Sequence, residues 1–166
     1  MTDKQIFIGI DPGNSGSIAV IDDSTGTVDF MKCKETESDL FRFLSDEICD
    51  CPATLNMFGF ALIERVSSMP GQGVSSTFKF GQSYGFLRGI LIASGIPFEE
   101  VTPQKWQKVF GLIRKSKAES NTDKKNRHKA KAQQLFPSVK ITHANADALL
   151  IAEYCRRTKQ QTREGE

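Results

Sequence analysis

Three stretches of the chain are apolar at nearly every position, and the segments between them alternate or repeat with a helical period. The first, Ile6-Phe7-Ile8-Gly9-Ile10, runs into Asp11-Pro12-Gly13-Asn14-Ser15-Gly16, and Ser17-Ile18-Ala19-Val20-Ile21-Asp22 follows. Two β-branched-rich runs around a turn of Pro, Gly, Asn and Ser predict a hairpin. The unbroken apolarity of the first run predicts a strand buried on both faces in the middle of a sheet. Thr27-Val28-Asp29-Phe30-Met31-Lys32 alternates, which predicts a third, more exposed strand. Phe58-Gly59-Phe60-Ala61-Leu62-Ile63-Glu64 is another fully apolar strand ending in a carboxylate, and Ile96 to Val101 reads as a short one.

The helical periods lie between and after these strands. Thr36 to Cys49 places Leu40, Phe41, Phe43, Leu44 and Ile48 on one side, with Glu37, Asp39, Asp46 and Glu47 on the wet face. The residues around Pro52 break this pattern. From Ser75 a helix runs through Phe78, Phe80, Tyr84, Phe86, Leu87, Ile90, Leu91 and Ile92 to Gly95. It is apolar around too much of its circumference to cover one sheet face alone. It is therefore either a dimer helix or an internal helix covered by others. Thr102 as N-cap and Pro103 at the first position open a helix carrying Lys105 and Trp106, which stops at Gly111. Leu112 to Thr122 predicts a loop. Asp123 is expected to cap a basic helix from Lys124 to Phe136, ended by Pro137. The last helix is expected to start near His143 and run through Tyr154. With no repeat and no linker, the reading is one domain over 1–158 and a frayed tail over 159–166.

A length of 166 residues suits one domain with a real core. No apolar run approaches the roughly 18 residues needed to span a bilayer, and the N-terminal residues lack the features of a signal peptide. A cytoplasmic protein, inside a bacterial or virus-infected cell, is expected. Cys33, Cys49, Cys51 and Cys155 are then reduced thiols rather than disulfides, and their spacing does not suit structural zinc. Charge changes the picture more. Residues 1–104 carry seven Lys/Arg against fourteen Asp/Glu, whereas residues 105–140 carry eleven against two. A basic block beside an acidic body predicts a polyanionic partner, most simply nucleic acid.

Candidate chemistry sits at the strand ends. Asp11 and Glu64 each close an apolar strand, and an acid on a rigid strand suits a metal or catalytic role. A turn-starting aspartate and an ion-paired strand-end glutamate are the plainer alternatives. Four residues separate His143 from Asp147, so the two share a helix face. Gathering Asp11, Glu64 and Asp147 is costly without a cation, because neighbouring like charges repel. Magnesium takes oxygen ligands and leaves room for a phosphate. Two such ions about 4 Å apart activate water and stabilise the departing oxygen of a phosphodiester. Mg2+, with Mn2+ as a substitute, is the expected cofactor.

Ile8-Gly9-Ile10-Asp11-Pro12-Gly13, Ala61-Leu62-Ile63-Glu64-Arg65-Val66 and Ala146-Asp147-Ala148-Leu149-Leu150-Ile151-Ala152 resemble the three acidic motifs of the RuvC Holliday-junction resolvases. Lys79-Phe80-Gly81-Gln82-Ser83-Tyr84-Gly85 is similar to the family's Gly-Gln-x-x-Gly helix. Thr102-Pro103-Gln104-Lys105-Trp106 and the stretch from Asp147 to Arg157 resemble the phage-type branch. The resemblance covers about residue 5 to residue 157. It implies an α/β, RNase H-like fold, a five-stranded mixed sheet with helices on both faces. It also implies a homodimer whose two active sites nick a four-way DNA junction symmetrically, leaving 5′-phosphate and 3′-hydroxyl ends. Asp11, Glu64 and Asp147 match its acids directly. The common pattern has a further acid where this chain has Ala144, and some members use histidine in this role, which implicates His143.

The sequence therefore predicts a magnesium-dependent junction endonuclease with Asp11, Glu64, Asp147 and His143 as catalytic and metal-holding residues. Lys105, Lys115, Lys117, Lys124, Lys125 and Arg127 are expected on DNA phosphates, and Met69 as an apolar wedge at the junction. The rival expectations are an RNase H-fold nuclease acting on RNA and a junction-binding protein impaired in catalysis.

Overall fold

The computed structural model describes residues 4–13, 15–49, 58–66, 73–114 and 119–164. Met69, Lys115 and Lys117 lie outside the described residues, as does the break around Pro52. The strands are β1 (Gln5–Ile10), β2 (Ser17–Asp22), β3 (Thr27–Lys32), β4 (Phe58–Glu64) and β5 (Phe98–Val101). The helices are α1 (Glu37–Cys49), α2 (Val74–Ala93), α3 (Pro103–Val109), α4 (Asn121–Leu135) and α5 (Ala146–Glu164).

The strands form one mixed sheet in the order β3-β2-β1-β4-β5. β1 pairs antiparallel with β2 on one side and parallel with β4 on the other. Its central place explains its composition, because a strand covered on both faces has no wet side to make polar. Successive side chains alternate. Ile6, Ile8 and Ile10 pack with Leu40, Leu44, Leu87 and Leu91 of α1 and α2. Phe7 points the other way, into the layer of Trp106, Leu149 and Ala152 from α3 and α5. Each such fully buried Ile or Phe contributes about 1.5–3 kcal/mol of burial. β3 at the sheet edge keeps alternating exposure, as its sequence predicts.

Gly9 decides how closely α5 can approach. A Cβ there would run into the backbone of Ala148 and Ala152. The bare glycine instead lets α5 lie directly on the central strand. Because α5 carries Asp147 in its first turn, this contact also sets the depth of the site.

Several boundaries differ from expectation. Ser120, not Asp123, is the N-cap of α4: its Oγ accepts from the Asp123 backbone N–H at 3.1 Å and donates to the Asp123 carboxylate at 2.6 Å. Both residues favour helix starts, and the reciprocal pair puts the boundary three residues earlier. β5 begins at Phe98 because Ile96 is used to end α2, with left-handed Gly95 turning the chain and the Ile96 N–H bonded to the Leu91 carbonyl. α5 starts at Ala146, later than His143. It continues through the expected tail to Glu164, with Lys159 Nζ 2.6 Å from Glu99 and Gln160 Nε2 2.7 Å from Asp23. Phe41, expected on the apolar side of α1, is 49% exposed. On α2, Leu87, Ile90 and Leu91 are buried while Phe78 and Ile92 stand about two-thirds exposed, at 66% and 67%. Among the described residues no helix is long and apolar enough to cross a membrane.

Candidate active site

Ile10 pairs with Ile63 in the parallel β1–β4 ladder, so the residues that follow, Asp11 and Glu64, fall side by side. Alternation then directs them. Phe7 and Leu62 face the α5 layer, and Asp11 and Glu64 share their parity. The turn holds Asp11 firmly. Its N–H donates to the Ser17 carbonyl at 3.0 Å, its carboxylate accepts from the Gly13 N–H at 3.3 Å, and the Cys33 thiol donates to its carbonyl at 3.3 Å. Gly16 passes so close to Asp11 that a Cβ would overlap its carbonyl oxygen.

α5 brings the third carboxylate. Its first turn is fixed by Thr142 and Asn145, which bond one another's backbone and side chains, and by Ser17 Oγ, which donates to the Ala144 carbonyl at 3.0 Å. Asp11 and Glu64 feel burial and the neighbouring acids. Burial, and then the charge of Asp147, raise the Asp11 carboxyl to about pKa 6. Burial, and then the charge of Asp11, raise Glu64 to about 7, although the Trp106 hydrogen bond and Lys124 oppose the shift. Lys125 and Lys124 of α4 likewise act against the rise at Asp11. The basic helix therefore lies beside the acidic cluster, and its charges offset part of the crowding.

Two buried rings support the acids from below. Trp106 Nε1–H donates to Glu64 Oε1 at 2.9 Å, and His128 Nδ1 lies 2.7 Å from Asp147 Oδ1. The rings meet edge to face, with centroids 5.3 Å apart. A carboxylate oxygen accepts, so the Nδ1–H tautomer of His128 is the one that completes this bond. His128 Nε2 is buried without a partner among the described residues. A neutral Nδ1–H tautomer leaves only a lone pair unsatisfied there, which avoids stranding an N–H donor at about 1–3 kcal/mol.

The other sequence candidates are placed differently. His143 is exposed, and its Nε2 lies 2.9 Å from Asn126 Oδ1 of α4. The histidine bonded to Asp147 is His128. Lys105 is exposed and lines a shallow cleft with Glu99, Glu100 and Lys159. Arg127 is engaged in a two-point pair with Glu119, Nε to Oε1 and Nη2 to Oε2 both at 3.0 Å, which ties down the segment entering α4. Sequence reasoning missed Trp106 and His128 as parts of the site. Lys124, His128 and Ala132 do recur every four residues and mark one inner face of α4.

Among the described residues no three His, Cys, Asp or Glu side chains converge tightly enough by themselves to hold a metal ion. The donor set still fits a hard divalent cation. It consists of carboxylate oxygens, two of which, on Asp11 and Glu64, are held above the usual carboxylate range by burial and nearby like charge, and a cation removes that conflict.

The sequence matches no family model and no curated protein. Solved structures are similar in shape. One is Thermus thermophilus RuvC in complex with a Holliday junction substrate, at TM-score 0.59 and 12% identity over 94% of this chain and 96% of that one. A second Thermus thermophilus RuvC structure gives 0.53 and 15% over 93% and 96%. The yeast mitochondrial Holliday junction resolvase Ydc2 gives 0.50 and 17% over 98% of this chain and 81% of that one. The fold is RuvC-like. The expected five-stranded mixed sheet with helices on both faces is thus borne out.

Proposed function

We propose that this chain is a divalent-metal-dependent endonuclease that resolves four-way DNA junctions, with Asp11, Glu64 and Asp147 as its metal-holding carboxylates. The observation that carries this reading is the crowding of these acids at one end of the central strands, beside Lys124 and Lys125. Burial and like charge make Asp11 and Glu64 harder to ionise, and the two lysines offset part of that. A bound divalent cation, magnesium by preference, would offset the rest, acidify a water and counter the charge that develops on a phosphodiester.

The protein's own groups have separate tasks. Lys124 and Lys125 attract and position the DNA backbone. Water attacks phosphorus, the bond to the 3′ oxygen breaks, and 5′-phosphate and 3′-hydroxyl ends remain. His143, exposed and bonded to Asn126, is assigned to accept the proton of that water. The RuvC neighbour solved with a Holliday junction supports branched DNA as the substrate. A homodimer is supported by α2, where exposed Phe78 and Ile92 accompany Gly81, Gly85 and Gly89, three glycines four residues apart with open space at each Cβ position. The motifs around Trp106 and in α5 support the phage-type branch, and the nuclease domain is taken to include α5.

The test is cleavage of a synthetic four-way junction, a linear duplex and an RNA–DNA hybrid of the same sequence, each with Mg2+ and with chelator. Paired nicks in the junction that require Mg2+ are expected. Preference for the hybrid would favour a ribonuclease, and binding without cleavage would favour a catalytically impaired junction-binding protein.

A further inference from the structure

We infer that Trp106 and His128 form a positioning pair, holding Glu64 and Asp147 by one oxygen each so that the second oxygen of each carboxylate is offered to the cation. This rests on the metal-dependent reading above and goes beyond it. Trp106 comes from α3 and His128 from α4, and both rings are buried, with relative exposures of 0% and 1%. Each directs a ring nitrogen at a different acid, at 2.9 Å to Glu64 and 2.7 Å to Asp147. The two rings also touch edge to face, at an interplanar angle of 74°. Each ring thus packs against the other as well as bonding its own acid.

Simple core filling does not account for this arrangement. A leucine in place of His128 would occupy the space without burying a nitrogen, whereas His128 leaves its Nε2 buried with no partner among the described residues. Among the described residues its polar partner is Asp147, so orienting that carboxylate is what the histidine adds. The indole of Trp106 has a single polar atom, and it is spent on Glu64. Donors behind a metal-ligating carboxylate fix its rotamer, and their loss typically lowers metal affinity about 10- to 100-fold.

The test uses the full chain and Mn2+ alone, so it needs no DNA and no turnover. Free Mn2+ is read by electron paramagnetic resonance, and emission is read from Trp106, the one tryptophan in the sequence. In the parent, emission is expected to change with the same dissociation constant that resonance reports, and Asp11→Asn should abolish both signals. Trp106→Phe and His128→Leu should weaken Mn2+ binding by about 10- to 100-fold. His128→Asn, which keeps an N–H donor near the Nδ1 position, should recover most of that loss. Parental Mn2+ affinity in both Trp106→Phe and His128→Leu would overturn the pairing, as would equal weakening in His128→Asn and His128→Leu. If His128→Leu does not fold, Trp106→Phe decides, because it keeps an aromatic ring and removes only the donor side. Mn2+ binding that is absent, or unchanged by Asp11→Asn, overturns the metal-site reading itself and the pairing with it.

Discussion

Asp11 and Glu64 are neighbours across a parallel ladder, each extending the register in which Ile10 faces Ile63. Burial of these two carboxylates, with the charge of Asp147 acting on Asp11 and that of Asp11 on Glu64, opposes their ionisation. That opposition makes the site measurable even without substrate.

The folded chain holds a proton on Asp11 up to about pH 6 and on Glu64 up to about pH 7, against ordinary values of 3.8 and 4.5. A raised folded pKa gives stability that is complete below the unfolded pKa and is lost as pH rises through the folded one. In chelator at pH 8, Asp11→Asn and Glu64→Gln should each be more stable than the parent by about 2–3 kcal/mol. The gap should narrow as pH falls toward 4. Mg2+ should raise the parent's melting temperature at pH 8 and have little effect at pH 5. Scanning fluorimetry across this range checks all of these, and equal pH profiles for parent and variants would refute the coupling.

Asp11→Asn, Glu64→Gln and Asp147→Asn should each reduce junction cleavage to background. Gel-shift affinity for the junction should persist or tighten, because removing negative charge favours a polyanion. Full cleavage by any of the three would remove that residue from the site.

Gly9→Ala tests whether α5 seats directly on β1. The added methyl meets backbone atoms of Ala148 and Ala152, which cannot turn aside as a side chain can. A loss of about 1–3 kcal/mol or more is expected in urea unfolding. Cleavage should fall further than stability alone explains, because Asp147 moves with the helix. Parental stability would contradict the close approach.

His143→Ala should slow cleavage by about a hundredfold if the imidazole handles the water proton. His143→Asp should retain appreciable activity, since a carboxylate at that place restores a ligand of the kind the resembled family carries there. A parental rate in the alanine variant would leave His143 only its bond to Asn126.

The dimer is best probed where α2 is open. Phe78→Glu combined with Ile92→Glu should give monomers in sedimentation while keeping the parental melting temperature, because both side chains are mostly exposed. A charge at Leu87 or Leu91 should instead unfold the chain, since both are fully buried. A parent that sediments as a monomer at micromolar concentration, with and without junction, would refute the homodimer.

Local pattern determined a great deal. The apolar run through Ile6–Ile10 required a strand covered on both faces, and the alternation through Thr27–Lys32 required a more exposed one, because period and burial are properties of neighbouring residues. That Asp11 and Glu64 end such strands is also written in the chain. The sequence alone could not say that Trp106 reaches Glu64, 42 residues away, or that His128 rather than His143 bonds Asp147. Those contacts depend on where α3 and α4 come to rest on the sheet. Lys159 and Gln160 make the same point: their polar surroundings read as a fraying tail, but Glu99 and Asp23 lie within reach only once α5 is docked. Periodicity selects which face of an element is buried. Which side chains of two separate elements meet is settled by packing volume, and here by the missing side chain at Gly9 that lets α5 settle onto β1.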